Sequence, residues 1–333
     1  MGESKKHCRH YKLESWGFRV KVEMLNDEEK AKFVSATLAR GSFLRKISVW
    51  PPSDIYYEEW LSNFESLDDR YIASKILNNF LYYSKSMVAK LLHDAVGNAI
   101  SLIARKVCPS DMDFYKKEIF YSYIPGETPN PTDSGLLFMR KLREDLHIPQ
   151  SRTLMFDAFK ALLEDEGTKK RLLLVLCDDF VGSGCQCEAA LANTKLKNHE
   201  MTIMDFVQKF GHVIAYAPLI ANSLGVQRIK NQLPDLILSP AHVLGDEYNL
   251  FSEKCICWEG DSDLYRAGVE LIRRVSGKLG IKDTPNGVVS VEGFGRQGLF
   301  VGFEHGIPDS DPAFFFYSEK GWKPLMRRYC ERD

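Results

Sequence analysis

The rhythm of apolar positions along the 333-residue chain changes near residue 118. Before that point it is helical. Ile72, Ile76, Leu77, Phe80 and Leu81 recur with a period near 3.6, and Val88, Leu91, Leu92 and Val96 continue the pattern beyond Ser86. Asp68 or Asp69 stands where a helix cap belongs. Pro51-Pro52 marks a break before this helical stretch, and residues 108–111 mark a boundary after it. From about Glu118, short strand-like runs alternate with amphipathic helices, the pattern of crossover units on a parallel sheet. Strands are predicted over 119–124, 152–156, 172–177, 212–217 and 235–238, with helices starting near Ser134, Asp157, Gln186, Met201 and Leu219. A helix over 263–276, a strand over 298–303 and an aromatic-rich tail ending near Arg328 follow. The fold class is α/β: a parallel sheet flanked by helices, residues 113–333 with a C-terminal extension. A mainly helical region, 1–112, precedes it, for which a winged-helix-like fold is one option.

Composition narrows the function. A formal net charge of −1 provides no overall basic field to draw the whole protein onto nucleic acid or anionic membrane. The basic opening, with Lys5, Lys6, Arg9, Lys12, Arg19 and Lys21, reads as a solvated surface, with nucleic-acid or partner binding as the other reading. Eight scattered cysteines and a charged start without an apolar leader predict a reduced, cytoplasmic protein. The longest strongly apolar run, 172–177, is far shorter than the roughly 20 residues of a membrane helix, so no membrane partner is expected.

The chemistry concentrates after that run. Six apolar residues deliver Asp178 and Asp179 to the edge of the sheet, where alternation sends adjacent carboxylates to different sides. Two such acceptors suit the hydroxyls of a ribose. Gly182-Ser183-Gly184 then lets the backbone fold closely around an anion, with successive amides and the helix start near Gln186 turned inward. In open sheets of this type, ligands bind beyond the carboxyl ends of the strands.

With its apolar strand, acid pair, glycine-bearing turn and helix, the segment 172–186 resembles the phosphoribosyltransferase superfamily. More closely it resembles the phosphoribosyltransferase-like branch of bacterial conflict and antiphage systems, the PRTase-CE type, whose loop reads Asp-Asp-Phe-Val-Gly-Ser-Gly-x-Gln. A second block of that branch is seen in Phe303-Glu304-His305 through Pro308-Asp309 and in Trp322 to Arg327. The resemblance implies a type I phosphoribosyltransferase-like fold and a ligand that is phosphoribosyl pyrophosphate or a related nucleotide. It implies Asp178 and Asp179 on the ribose as catalytic residues, and Gly182, Ser183, Gly184, Cys185 and Gln186 on the 5′-phosphate. Asp133, Ser134 and Gly135 would form the pyrophosphate loop, and His305 and Asp309 would lie on the base or acceptor side. Mg²⁺ would arrive with the pyrophosphate, with no dedicated metal site. The implied role is a toxin-like effector of antiphage defence acting on nucleotides or nucleic acid, as a homo-oligomer or with other defence proteins.

Gln186 stands where ordinary superfamily members carry Thr or Ser, and Gly182 replaces the first hydroxyl residue. A non-catalytic nucleotide sensor is therefore the alternative function. Gly306 and Asp309 occupy positions where the branch pattern has asparagines, so specificity could differ. Other motifs read more plainly. Gly293-Phe-Gly295-Arg-Gln-Gly298 is a literal G-x-G-x-x-G, but strand-like residues follow it where a dinucleotide site needs a helix. Cys185, Cys187, Cys255 and Cys257 read as small buried residues rather than zinc ligands, and His7-Cys8-Arg9-His10 as a charged terminus. Phe314-Phe315-Phe316-Tyr317 reads as core or subunit interface, with base stacking as the lesser reading.

Overall fold

Asn26 accepts from the amide of Glu29 while Glu29 reaches back to the Asn26 amide, a reciprocal cap that starts α1 (Asp27–Lys46). The structure, a computed structural model, describes residues 25–111, 113–126 and 134–328. The basic opening and His7 to His10 lie outside them. Pro51-Pro52 falls between α1 and the short α2 (Tyr57–Leu61), as its break predicts. Helix α3 (Leu67–Asn79) is capped by Ser66, whose hydroxyl accepts from the Asp69 amide, rather than by Asp68 or Asp69. The helical pattern then breaks for three residues, β1 (Leu81–Tyr83), before α4 (Lys85–Val107) resumes it.

Among the described residues α4 is the one helix long and apolar enough to cross a bilayer. Its interspersed lysines, histidine and aspartate hid that from a search for unbroken apolar runs. Its apolar face is used inside the protein: Val88, Leu92, Ala95, Val96, Ala99 and Ile103 are fully buried in the core, and the Ser239 hydroxyl donates to the Ala95 carbonyl.

The short helix α5 (Phe114–Lys117) leads into β2 (Ile119–Tyr123), and α6 (Ser134–Asp145) and α7 (Phe156–Glu166) separate β2 from β3 (Leu173–Val181). Between β3 and β4 (Val213–Asn222) lie α8 (Cys185–Glu188), which widens into a π-turn over Ala189–Asn193, and α9 (Ile203–Lys209). Helix α10 (Ser223–Gln232) leads to β5 (Ile237–Leu238) and β6 (His242–Leu244), which lie one after the other beside β4. The order is β2-β3-β4-β5, all parallel, as the alternating pattern predicts. The strand expected over 152–156 is a 3₁₀ turn, Gln150–Arg152, followed by a single bridge from Thr153 to Tyr121. Residues 152–156 are too short an apolar run to hold an edge once α7 begins at Phe156. The helix expected near Leu219 starts at Ser223 instead, because β4 runs on through Pro218 and remains buried along its whole length. Asn222 ends it by capping α10.

Past α11 (Ser262–Leu279), β7 (Val301–Phe303) pairs in parallel with β1. Two cores result, and they are not sequential. The larger surrounds the main sheet and includes α4. The second joins residues 50–82 to residues 250–326, with Trp60 stacked on Phe315 at 5.7 Å between ring centroids. Phe314 and Phe315 are fully buried there, so the aromatic run is core. Cys255 and Cys257 sit in the second core and Cys187 in the first.

Candidate functional site

The rim of the sheet is stepped. β2 ends at Tyr123 opposite Cys177, whereas β3 continues four residues further, paired only with β4. Asp178 and Asp179 therefore lie within a strand, which runs past the end at Cys177 that the sequence predicts. Without β2 alongside, the carboxylates take up neighbouring backbone donors: Asp178 accepts the Asp179 amide at 3.0 Å and Asp179 accepts the Phe180 amide at 2.9 Å. The two carboxyl groups stay within hydrogen-bonding reach of each other, so alternation does not part them as fully as the sequence predicts. Asp178 turns inward to Tyr216, whose hydroxyl donates to it at 2.7 Å. Burial pushes the Asp178 carboxyl well above its ordinary value, and the charge of Asp179 adds to the effect. Burial likewise raises the Tyr216 phenol. Asp179 meets His305 Nε2 at 2.9 Å. The imidazole stacks on Phe303 at 5.1 Å and meets the edge of Phe138 at 5.9 Å. Beside it Lys141 Nζ on α6 pairs with Glu304 at 3.1 Å. The block from Phe303 to Asp309 thus reaches the strand that carries the acid pair.

Beyond Val181 the chain bends through Gly182, Ser183 and Gly184 into α8. Gly184 has φ +77°, a left-handed conformation in which other residues are strained. The amides of Gly182, Ser183 and Gly184 donate to no acceptor among the described residues, and that of Cys185 turns to the Ser183 hydroxyl at 3.3 Å. They border a cavity of about 360 Å³, with Tyr216 in its wall and Phe294, Gln297 and Asp309 on the C-terminal side. Gln186 does not direct its amide group at an anion: Nε2 donates to the Pro125 carbonyl at 2.7 Å, tying the bend to the segment after β2. Of the expected pyrophosphate loop, Asp133 lies outside the described residues and Ser134 opens α6. Gly135 is closed in by Tyr123, whose ring carbon would stand 2.4 Å from an added Cβ.

Three residues escaped the sequence reading. Tyr216 is an ordinary strand aromatic until its register beside β3 is known. Gly225 lets α10 press against the bend: a Cβ there would fall 2.3 Å from the Gly182 carbonyl oxygen. Its signal was a glycine inside a helical pattern. Gln297 belongs to the G-x-G-x-x-G stretch, whose Gly293, Gly295 and Gly298 all have positive φ, at 73°, 64° and 57°. Those glycines form a tight loop that makes one wall of the cavity.

Strand, bend and cavity together define a phosphoribosyltransferase-like α/β protein. The chain belongs to the PRTase-CE family, whose model matches residues 57–328 and so takes in all of the first core and all of the second except Trp50 and Ile55. No curated protein matches it.

Proposed function

We propose that the protein binds phosphoribosyl pyrophosphate or a related nucleotide, with its 5′-phosphate on the amides of Gly182, Ser183 and Gly184, and acts at the ribose carbon that bears the pyrophosphate or base. The observation that carries this reading is a bend whose three amides donate to no acceptor among the described residues, lining a cavity large enough for a sugar phosphate. The PRTase-CE membership agrees with it. Asp179 keeps 18% of its side chain exposed and is the carboxylate a ribose can reach by displacing His305. Asp178 is shut in and holds the Tyr216 hydroxyl at the cavity wall. Its role is to position Tyr216. As the bond to the leaving group stretches, positive charge builds on the sugar ring, where the Asp179 carboxylate stabilises it. Magnesium fits as an ion carried on the pyrophosphate oxygens, since Asp178 is enclosed and Asp179 is already paired. The resemblance to antiphage effectors supports a cytoplasmic defence role for this activity, on nucleotides or nucleic acid.

One feature favours the second reading, a non-catalytic nucleotide sensor. Both carboxylates are engaged by protein groups while the phosphate bend stands open. Incubation with phosphoribosyl pyrophosphate, candidate bases and magnesium separates the two when pyrophosphate release and ligand binding are measured together. Release above the protein-free rate is expected for the transferase. Binding without release establishes the sensor, and absence of both contradicts the shared phosphate site.

A further inference from the structure

The Gln297 side chain is buried, with 1% of its surface exposed. Nε2 donates to the Phe294 carbonyl at 3.0 Å, which fixes which end of the carboxamide is nitrogen. The other end, Oε1, has no partner among the described residues. The group lies over the first residue of the phosphate bend: a Cβ on Gly182 would stand 3.0 Å from Nε2 and 3.3 Å from Oε1. It forms part of the wall of the same cavity as that bend. Buried acceptors are costly to leave unmatched, so one held in a fixed orientation at the edge of a phosphate-binding cavity points to a donor supplied from outside the chain.

We propose that Gln297 is a specificity residue, its Oε1 accepting a hydrogen bond from an O–H or N–H of the ligand whose phosphate the bend holds. This rests on the phosphoribosyl reading above and adds to it the chemistry the ligand must show to the far wall. Two groups of a nucleotide carry such a donor, a sugar hydroxyl and a base amine or imide. A ligand that brings no donor to Oε1 leaves this buried acceptor unmatched and binds less well. The glycines around Gln297 keep its backbone in place, since Gly295 and Gly298 adopt left-handed conformations that other residues resist. Sequence alone dismissed this loop as a failed dinucleotide motif; the fold reuses its glycines to hold a reader.

The test is calorimetric titration of the full chain and of its Gln297→Met variant, which keeps the volume and loses the acceptor, with ribose 5-phosphate, AMP, GMP, CMP and UMP. About a tenfold loss for one or more nucleotides, with ribose 5-phosphate unchanged, identifies a base donor. The same loss for ribose 5-phosphate as well identifies a sugar hydroxyl. Equal affinities of the two proteins for every ligand overturn the proposal. A wild-type protein that binds none of the five overturns the phosphoribosyl reading itself. If the variant does not fold, wild-type protein gives the answer: purine riboside 5′-monophosphate lacks the amine of AMP, and 2-deoxyribose 5-phosphate lacks one hydroxyl of ribose 5-phosphate. N1-methyl-GMP and N3-methyl-UMP lack the imide N–H, and 3-deoxyribose 5-phosphate lacks the 3-hydroxyl; no loss of affinity from any of these deletions overturns the proposal.

Discussion

Gly225→Val will remove phosphate-ligand binding while leaving the sheet and both cores folded. The third residue of α10 approaches the bend so closely that even the Cβ of alanine would fall 2.3 Å from the Gly182 carbonyl oxygen and 2.8 Å from Val181 Cγ1. The first of these is a backbone atom, so the bend or α10 must yield by about 1 Å to reach ordinary contact, and valine demands more. Displacements of that size can cost about 100-fold where geometry must be held to a fraction of an ångström. Titration with ribose 5-phosphate, alongside circular dichroism and thermal melting, checks the expectation. A folded variant with wild-type affinity would show that the bend does not hold the phosphate.

The second large effect concerns Asp178. Burial raises its folded-state pKa above the unfolded value of 3.8. The folded protein therefore holds more protons than the unfolded chain between those two pKa values. Its contribution to stability is complete below the unfolded value and is lost as pH rises through the folded one. Asp178→Asn imitates the protonated acid in shape and stays uncharged at every pH. It will remove the Asp178 contribution to that loss, so its stability falls less, or rises more, from pH 5 to pH 8 than that of the wild type. Buried Asp311, also raised by desolvation, contributes with the same sign, and His212, lowered by burial, with the opposite one; both are common to the two proteins and cancel in the comparison. Asp178→Ala leaves the buried Tyr216 hydroxyl without its acceptor and will cost about 1–3 kcal/mol. Urea unfolding of the three proteins at pH 5 and pH 8 measures both effects. An asparagine variant as pH-dependent as the wild type would show that Asp178 is ionised in the fold.

What the sequence revealed of this arrangement follows from how local each signal is. The run from Leu173 to Cys177 is apolar at every position because β3 is covered on both faces, so the strand and the acids after it were legible. That the strand continues through the acids depends on β4 running past Ala217 beside it, a non-local fact. β1 was missed because three residues become a strand only through pairing with Val301–Phe303, more than 200 positions away. The stretch over 152–156 was overread for the opposite reason: its apolar residues suit a strand, but only Thr153 finds a partner, in Tyr121. Within the site, the residues of the bend were legible from their glycines and acids. Tyr216, Gly225 and Gln297 were not, because each acts through a neighbour from another part of the chain.

The amides of Gly182, Ser183 and Gly184 are expected to hold a phosphate. This is tested most directly by amide nuclear magnetic resonance on protein labelled with ¹⁵N at glycine and serine, titrated with ribose 5-phosphate. The Gly182, Ser183 and Gly184 signals are expected to shift together and saturate with one binding constant. Saturating shifts confined to amides elsewhere, with these three unmoved, would contradict a phosphate held at the bend.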